Sequence, residues 1–127
     1  MSNTSERYKL YRYCSFKTSK TITQEYSTSF YAATDMFPED MRDAIHSIYG
    51  FVRIADEIVD SFHEHDREKL LRDFERDYDE AYRMGISTNP ILYSFQWTVK
   101  QYNIPDEYIR SFLASMRCDL EKKSYET

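Results

Sequence analysis

The sequence predicts an all-α protein, and two features of composition and one of patterning lead to that prediction. Only two glycines and three prolines occur in 127 residues, too few for the many tight turns of a sheet protein. Apolar residues recur at helical spacing along most of the chain. With 41% hydrophobic and 31% charged residues, the chain can bury the core of one domain, or of part of one.

Helix-starting and helix-ending residues divide this pattern into five predicted helices. Pro38, Pro90 and Pro105 each stand close to a predicted start, where the missing N–H group costs nothing. Gly85 stands at a predicted end, because glycine readily adopts the left-handed conformation of a C-terminal cap. The predicted helices span about residues 23–35, 38–62, 67–84, 90–102 and 105–122.

Charge is unevenly distributed along the chain, whose net charge is −5. Residues 1–20 carry five basic groups and one acid, whereas residues 21–127 carry a clear acidic excess. An acidic body is a poor partner for nucleic acid. We therefore divide the chain into a basic, Tyr-rich segment, 1–20, and a helical body, 21–127. The segment is expected to be a solvated tail, with contact to RNA or anionic lipid left as an alternative.

The sequence predicts a cytoplasmic protein, with peripheral contact to a membrane left open. Cys14 and Cys118 are too few for a disulfide framework and are expected to be free thiols in a reducing compartment. The N-terminus lacks the apolar stretch of a signal peptide. The longest uncharged run, 84–99, contains Ser, Thr, Asn, Gln and Pro, so it is not expected to span a bilayer.

The most informative part of the chain is an acidic cluster within the second predicted helix. Asp56 and Glu57 lie within a stretch, 44–59, that has apolar residues on every side of a helix, and Asp60 comes directly after it. A helix of that kind is expected to be buried. Buried carboxylates are costly unless they are paired or bind a metal, so the cluster predicts a bound cation.

Spacing places these residues on one stripe of the helix. Tyr49, Arg53, Asp56 and Asp60 follow i, i+4, i+7 and i+11 spacing, and the last two lie only about 40° apart around the axis. Carboxylate oxygens suit Mg²⁺, which commonly takes one or two carboxylates and phosphate oxygens. Arg53 offers a planar donor fork for phosphate, and Glu57 lies about 100° round from Asp56, at the rim of the same site.

This arrangement predicts chemistry on a diphosphate leaving group. Metal and Arg53 would neutralise the departing charge while an allylic carbocation forms, and aromatic ring faces would stabilise that cation. The alternative is that the acids are only a charged patch on a half-exposed helix. No serine or cysteine nucleophile is required by the first interpretation.

Several segments, in order and spacing, resemble the squalene/phytoene synthase family. They are the Ser-rich segment 26–31, the Phe37-Pro38 pair, Ala44-Ile45, the Tyr-x3-Arg-x2-Asp-Glu-x2-Asp pattern at 49–60, and segments 116–120 and 125–127. The resemblance covers about residues 14–127. It implies an isoprenoid (terpenoid) synthase fold, of which this chain holds the N-terminal helices only. It also implies that two prenyl diphosphates are joined head to head through a cyclopropyl intermediate, with Mg²⁺.

The resemblance also implies roles for single residues. Asp56 and Asp60 match the first acidic motif of the family and would bind Mg²⁺. Tyr49 matches a pocket tyrosine and Arg53 a diphosphate-contacting arginine. Ser27 matches a diphosphate-contacting serine, Phe30 an aromatic residue of the substrate pocket, and Asp119 a later acidic position facing the same cavity.

The sequence departs from the family pattern in two respects. Glu57, the third predicted metal ligand, stands where the family more often has Asp, and its side chain reaches one methylene further. The sequence also ends before the second acidic motif, so we expect it to be the N-terminal portion of a longer protein, incomplete for activity alone.

Several alternatives remain open from the sequence. The substrate is expected to be geranylgeranyl or farnesyl diphosphate. A phytoene synthase-like transferase of carotenoid biosynthesis needs no NADPH, whereas a squalene synthase-like enzyme does. A single-prenyl hydrolase or cyclase of the same fold, or a non-catalytic helical domain that binds a prenyl chain, a membrane surface or a partner, would also fit. The sequence does not indicate the oligomeric state.

Overall fold

The described residues of the chain fold into six α-helices joined by short connections. The computed structural model describes the backbone of residues 2–126 and the side chains of residues 7–123, and no strand occurs in that range. The helices are α1 (Ser2–Tyr26), α2 (Thr28–Thr34), α3 (Glu39–Asp60), α4 (Arg67–Met84), α5 (Pro90–Gln101) and α6 (Asp106–Glu126). The all-α prediction is therefore confirmed.

Helix α3 lies at the centre of the fold, in contact with α1, α4, α5 and α6. The buried ring of Phe51 stacks on Phe95 of α5 and Phe74 of α4, with ring centroids 4.0 Å and 5.1 Å apart. Leu113 of α6 is also fully buried in this core. One face of α3 is thereby fixed against three helices at once, and its other face is left to form a site.

The ends of α4 and α5 follow from local capping. The Asp66 carboxylate accepts a hydrogen bond from the Lys69 N–H at the start of α4, and Gly85 ends that helix with φ 75°. The Asn89 side chain accepts from the first N–H groups of α5. These boundaries agree with the sequence-based prediction to within one residue, because each capping residue acts through its immediate neighbours.

The prediction of one helix over 23–35 is wrong, because the helix is interrupted at Ser27. That residue has φ −150° and ψ 90°, which is extended backbone, and it separates α1 from α2. Its hydroxyl oxygen accepts a hydrogen bond from the Phe30 N–H at 3.2 Å. A serine side chain can thus replace a helical backbone partner, and here it caps the second helix.

The expected solvated tail is also wrong where side chains are described, from residue 7 onward. Helix α1 packs against α3 and α5 through Ser15, Ser19 and Thr23, all of which are fully buried. The hydroxyls of Ser15 and Thr23 donate to carbonyls one turn back, and Ser19 hydrogen-bonds to Ser94 of α5 at 2.8 Å. Because these small side chains satisfy their own polar groups, a helix with little apolar surface can pack closely.

Two further sequence-based expectations are tested by the structure. In the described part of the chain, no helix combines the length and apolar character needed to cross a bilayer. Cys14 and Cys118 are both exposed and unbonded, so the prediction of free thiols is confirmed.

Enlarging a small side chain between α1 and α3 should destabilise the protein. A Cβ atom built on Gly50 of α3 would lie 3.1 Å from the Ser19 hydroxyl oxygen, so no room exists for a larger residue there. We expect Ser19→Leu to lower the free energy of unfolding by about 2 kcal/mol through overpacking. The matched control is Thr18→Leu, at an exposed position one residue earlier, which should change it by less than about 0.5 kcal/mol. Equal midpoints for both variants in urea unfolding would show that α1 is not packed as described.

Candidate functional site

The acidic cluster lies on the half-exposed side of α3, so the expectation of a helix buried all round is wrong. Asp56 and Glu57 are partly buried, and Asp60 is exposed at the end of the helix. The core takes Phe51, Ala55, Ile58 and Val59, which recur at helical spacing on the opposite side. Burial alone therefore does not require a metal ion, and the case for one depends on the arrangement of charges.

Asp56 and Asp60 face two charged residues of α6. The Lys123 ammonium group donates a hydrogen bond to the Asp60 Oδ1 atom. Asp56 interacts electrostatically with Arg53, Asp60, Lys123 and Asp119. Asp119 of α6 therefore lies within electrostatic range of Asp56, and the role that the family resemblance implies for it stays a prediction. We call Asp56, Asp60, Asp119 and Lys123 the acidic end of the site.

Partial burial raises the pKa of the Asp56 carboxyl group. Desolvation is the largest cause, Arg53 opposes it, and the negative charge of Asp60 adds to it. The carboxylate form of Asp56 is thus less well stabilised than it would be in water. A further cation close to Asp56 would relieve this cost.

Arg53 is held by a partner on its own helix. Its Nη2 group donates to the Glu57 Oε1 atom, and its guanidinium lies 4.8 Å from the centre of the Tyr26 ring. Burial, followed by the charge of Glu57 and a hydrogen bond to it, raises the pKa of Tyr26. The Arg53 Nε atom is buried and has no hydrogen-bond partner among the described residues. The guanidinium therefore retains a donor that the described side chains do not satisfy.

Phe30 and Tyr49 form the aromatic part of the site. Their rings stack with centroids 5.1 Å apart and an angle of 24° between the planes. Ser27 lies three residues before Phe30, and its hydroxyl oxygen is already the acceptor that caps α2. A serine hydroxyl has one O–H donor and a second lone pair, so Ser27 can still donate to a ligand oxygen.

The predicted metal ligands do not form a closed metal site by themselves. Among the described residues, no group of three or more His, Cys, Asp or Glu side chains is arranged to hold a metal. The Glu57 carboxylate is engaged by Arg53, which leaves Asp56 and Asp60 as the carboxylates of α3 directed to the acidic end. Ligation by Glu57, like the other predicted roles of these residues, stays a prediction.

An apolar strip continues from the acidic end along the exposed side of α3. Met41 is 42% exposed and Ile48 37% exposed, and Tyr49 and Val52, between Ile48 and Asp56, are partly exposed. Phe30, stacked on Tyr49, is 40% exposed. Exposed apolar residues in a continuous strip commonly mark a binding surface.

A cavity of about 760 Å³ lies elsewhere, between α1, the start of α3 and the end of α5. It contains none of the predicted site residues. Its walls carry Lys9, Lys17 and Lys20 from α1 and Glu39, Asp40 and Asp43 from the region of α3. Because charges of both signs line this open cavity, its composition does not indicate one class of ligand.

Sequence reasoning missed two residues of the site. Tyr26 supports the Arg53 guanidinium, and Lys123 binds Asp60 from another helix. The spacing of Lys123 four residues after Asp119 places both on one face of α6, which was a signal available in the sequence. That α6 faces α3 could not be predicted from the spacing, because it depends on tertiary packing.

The raised pKa of Asp56 gives a stability prediction for the metal-free protein. A carboxyl group whose pKa is higher in the folded state stabilises the fold while protonated, and this stabilisation is lost as pH rises through the folded pKa. Asp56→Asn, which stays neutral, should therefore raise the free energy of unfolding at pH 7 in EDTA by up to about 1 kcal/mol. The gain should shrink as pH falls to 4, as followed by urea unfolding.

Asp73 supplies the control of opposite sign for that measurement. It lies on α4, and the hydrogen bond from Lys69 lowers the pKa of its carboxyl group. Asp73→Asn should therefore destabilise the protein at pH 7. The interpretation of Asp56 is contradicted if both variants shift stability in the same direction.

Comparison with known proteins relates the sequence of this chain to a family. The chain is 26% identical over 113 residues to a phytoene synthase of Arthrospira platensis, covering 89% of this chain and 37% of that protein. It is 28% identical over 106 residues to phytoene synthase 1, chloroplastic, of Arabidopsis thaliana, covering 83% and 25%. It is 28% identical over 96 residues to a presqualene diphosphate synthase of Rhodopseudomonas palustris, covering 74% and 33%.

The chain thus spans between 25% and 37% of the length of these relatives. The sequence model of one family, described as squalene/phytoene synthase, matches residues 23–127, which include α3 and every predicted site residue. The chain belongs to the squalene/phytoene synthase family.

Proposed function

We propose that the protein is a transferase that joins two prenyl diphosphates head to head, as phytoene synthases do, and that this chain supplies one wall of its active site. The observation that carries the proposal is the layout of one side of α3. An acidic end built on Asp56 and Asp60 continues directly into an exposed apolar and aromatic strip. A substrate with a charged diphosphate and a long hydrocarbon chain matches both parts.

The charge balance at the acidic end supports Mg²⁺ as the metal. Among the described residues, the carboxylates of Asp56, Glu57, Asp60 and Asp119 lie near two cations, Arg53 and Lys123. Burial raises the pKa of the Asp56 carboxyl group despite Arg53 nearby, so a further cation would stabilise its charged form. Hard oxygen donors with surplus negative charge suit a divalent ion such as Mg²⁺. In this proposal Asp56 and Asp60 hold the metal, which when bound would supply positive charge to the diphosphate.

The remaining residues of the site bind and orient the substrate. In this proposal the Arg53 guanidinium binds a diphosphate oxygen, and its unsatisfied Nε donor supports that role. Ser27 donates its hydroxyl hydrogen to the same group. Phe30 and Tyr49 present ring faces to the carbon end, where a developing allylic cation is stabilised and water is excluded. Asp119 completes the acidic end from α6.

The relatives include both phytoene synthases and a presqualene diphosphate synthase, so the substrate and the product of this protein are part of the proposal. Geranylgeranyl diphosphate without NADPH is the expected condition for a phytoene-type product. Farnesyl diphosphate with NADPH is the condition for a squalene-type product. Since the hydrocarbon products of both reactions dissolve in membranes rather than in water, we include a peripheral membrane contact of a cytoplasmic protein in the proposal.

The product identifies which reaction occurs. The protein is incubated with Mg²⁺ and either diphosphate, with and without NADPH, and the products are measured by mass. A product holding two prenyl groups supports the proposal. A single-prenyl alcohol or cyclic product would instead indicate a hydrolase or cyclase of the same fold. Binding of the prenyl diphosphate without release of diphosphate would indicate a non-catalytic binding domain.

Removing either aspartate should nearly abolish the reaction. We expect Asp56→Ala and Asp60→Ala each to lower the rate of diphosphate release at least about a hundredfold, because the charge that stabilises the leaving group is lost. The matched control is Glu64→Ala, which removes an exposed carboxylate four residues beyond Asp60. Its rate should stay close to wild type. Activity of the Asp56 or Asp60 variant within tenfold of wild type would contradict the assignment.

A further inference from the structure

The acidic end already contains a cation supplied by the chain. Lys123 lies on α6, four residues after Asp119, and its ammonium group donates a hydrogen bond to the Asp60 Oδ1 atom on α3. The same ammonium group contributes to the electrostatic environment of Asp56. Lys123 therefore stands where positive charge is needed and where a metal ion would have to bind.

The Lys123–Asp60 ion pair is exposed enough to be exchanged. The side chain of Lys123 is 39% exposed and that of Asp60 47% exposed. Pairs at this degree of exposure shift an equilibrium by a factor of only about two to five. The flexible lysine stem can leave Asp60 without any movement of the backbone.

The second ion pair of the site differs in both respects. Arg53 and Glu57 are less exposed, at 24% and 16% of their side chains, and they belong to the same helix. The Arg53 guanidinium also lies over the Tyr26 ring, whereas no aromatic contact of Lys123 is found among the described residues. Of the two internal cations, Lys123 is therefore the one that an incoming metal ion can replace.

We propose that Lys123 is a built-in counter-cation that neutralises Asp60 when no metal is bound and that Mg²⁺ must displace, so that Lys123 sets the affinity of the site for Mg²⁺. This inference rests on the proposed function insofar as Asp60 is taken as a metal ligand. It assigns Lys123 a positioning and affinity-setting role, through Asp60, rather than a catalytic one. Removing the ammonium group leaves Asp60 free and also removes its repulsion of the incoming ion.

The test is a titration of the purified protein with MgCl₂ alone at low ionic strength, in which isothermal titration calorimetry measures the affinity for Mg²⁺. Lys123→Met should bind Mg²⁺ about two- to fivefold more tightly than wild type. Lys122→Met is the matched control, because it removes the same charge from the exposed neighbouring position on α6. It should stay close to wild type. Lys123→Arg keeps the positive charge and should not gain affinity.

The titration also distinguishes this inference from the proposed function. Asp60→Asn should bind Mg²⁺ more weakly, which tests the metal site itself. If Asp60→Asn binds more weakly but Lys123→Met matches Lys122→Met, the role of Lys123 is overturned and the metal site stands. Weaker binding by Lys123→Met likewise overturns it. If neither wild type nor Lys123→Met binds Mg²⁺, the metal site of the proposed function is overturned together with the inference.

Thermal unfolding in EDTA verifies that the comparison is made on folded protein. Both lysine variants should unfold within a few degrees of wild type, because an exposed ion pair contributes little to stability. Added MgCl₂ should raise the unfolding midpoint of Lys123→Met more than that of Lys122→Met, since at a given concentration a ligand that binds more tightly stabilises the fold more. Equal Mg²⁺-dependent shifts in these two variants would contradict the inference.

Discussion

The rotation of α3 about its own axis is the constraint on which the site depends. Gly50 leaves room for close contact with Ser19, and the next residue, Phe51, is stacked between rings of α4 and α5. Ser47, one turn earlier, donates a hydrogen bond to Thr98 of α5 at 2.6 Å. Asp56 lies five residues beyond Phe51, about 140° away around the helix. Fixing Phe51 in the core therefore directs Asp56 to the opposite flank.

This arrangement separates the groups that stabilise the fold from those proposed to act on substrate. The core side of α3 is closely packed around the buried ring of Phe51 and contains no carboxylate. The exposed flank concentrates carboxylates, and on it partial burial raises the pKa of Asp56. Such a surface is a cost to the isolated fold that a bound cation would offset. Polar strain of this kind is common at functional sites.

Prediction from the sequence succeeded where the signal is local. Gly85 and Asn89 act on their own neighbours, and the ends of α4 and the start of α5 were predicted accordingly. The prediction failed for α1, because its buried side is made of Ser15, Ser19 and Thr23 and carries no apolar periodicity. It also failed to detect the burial pattern of α3. Ile48 and Val52 are partly exposed, but they are of the same residue types as the core residues. Only the packing of α3 against its neighbours shows which side of that helix faces solvent.

The candidate site was predictable as a stripe on one helix but not as a set of contacts between helices. Asp56 and Asp60 follow from spacing alone, and their closeness to Asp119 was inferred by resemblance to a family. Lys123 was missed because an ion pair between α3 and α6 depends on how the two helices cross. The same limit applies to Tyr26, whose contact with Arg53 joins α1 to α3.

The break at Ser27 links these observations. An uninterrupted helix from α1 would carry Phe30 along the axis of α1, about 6 Å beyond Tyr26. The break instead lets Tyr26 end one helix next to Arg53, while Phe30 lies in the first turn of the next helix and stacks on Tyr49. Ser27 thus brings an aromatic residue to each of two successive turns of α3. The capping of α2 by Ser27, which made the prediction of one helix over 23–35 wrong, therefore also places the aromatic residues of the site.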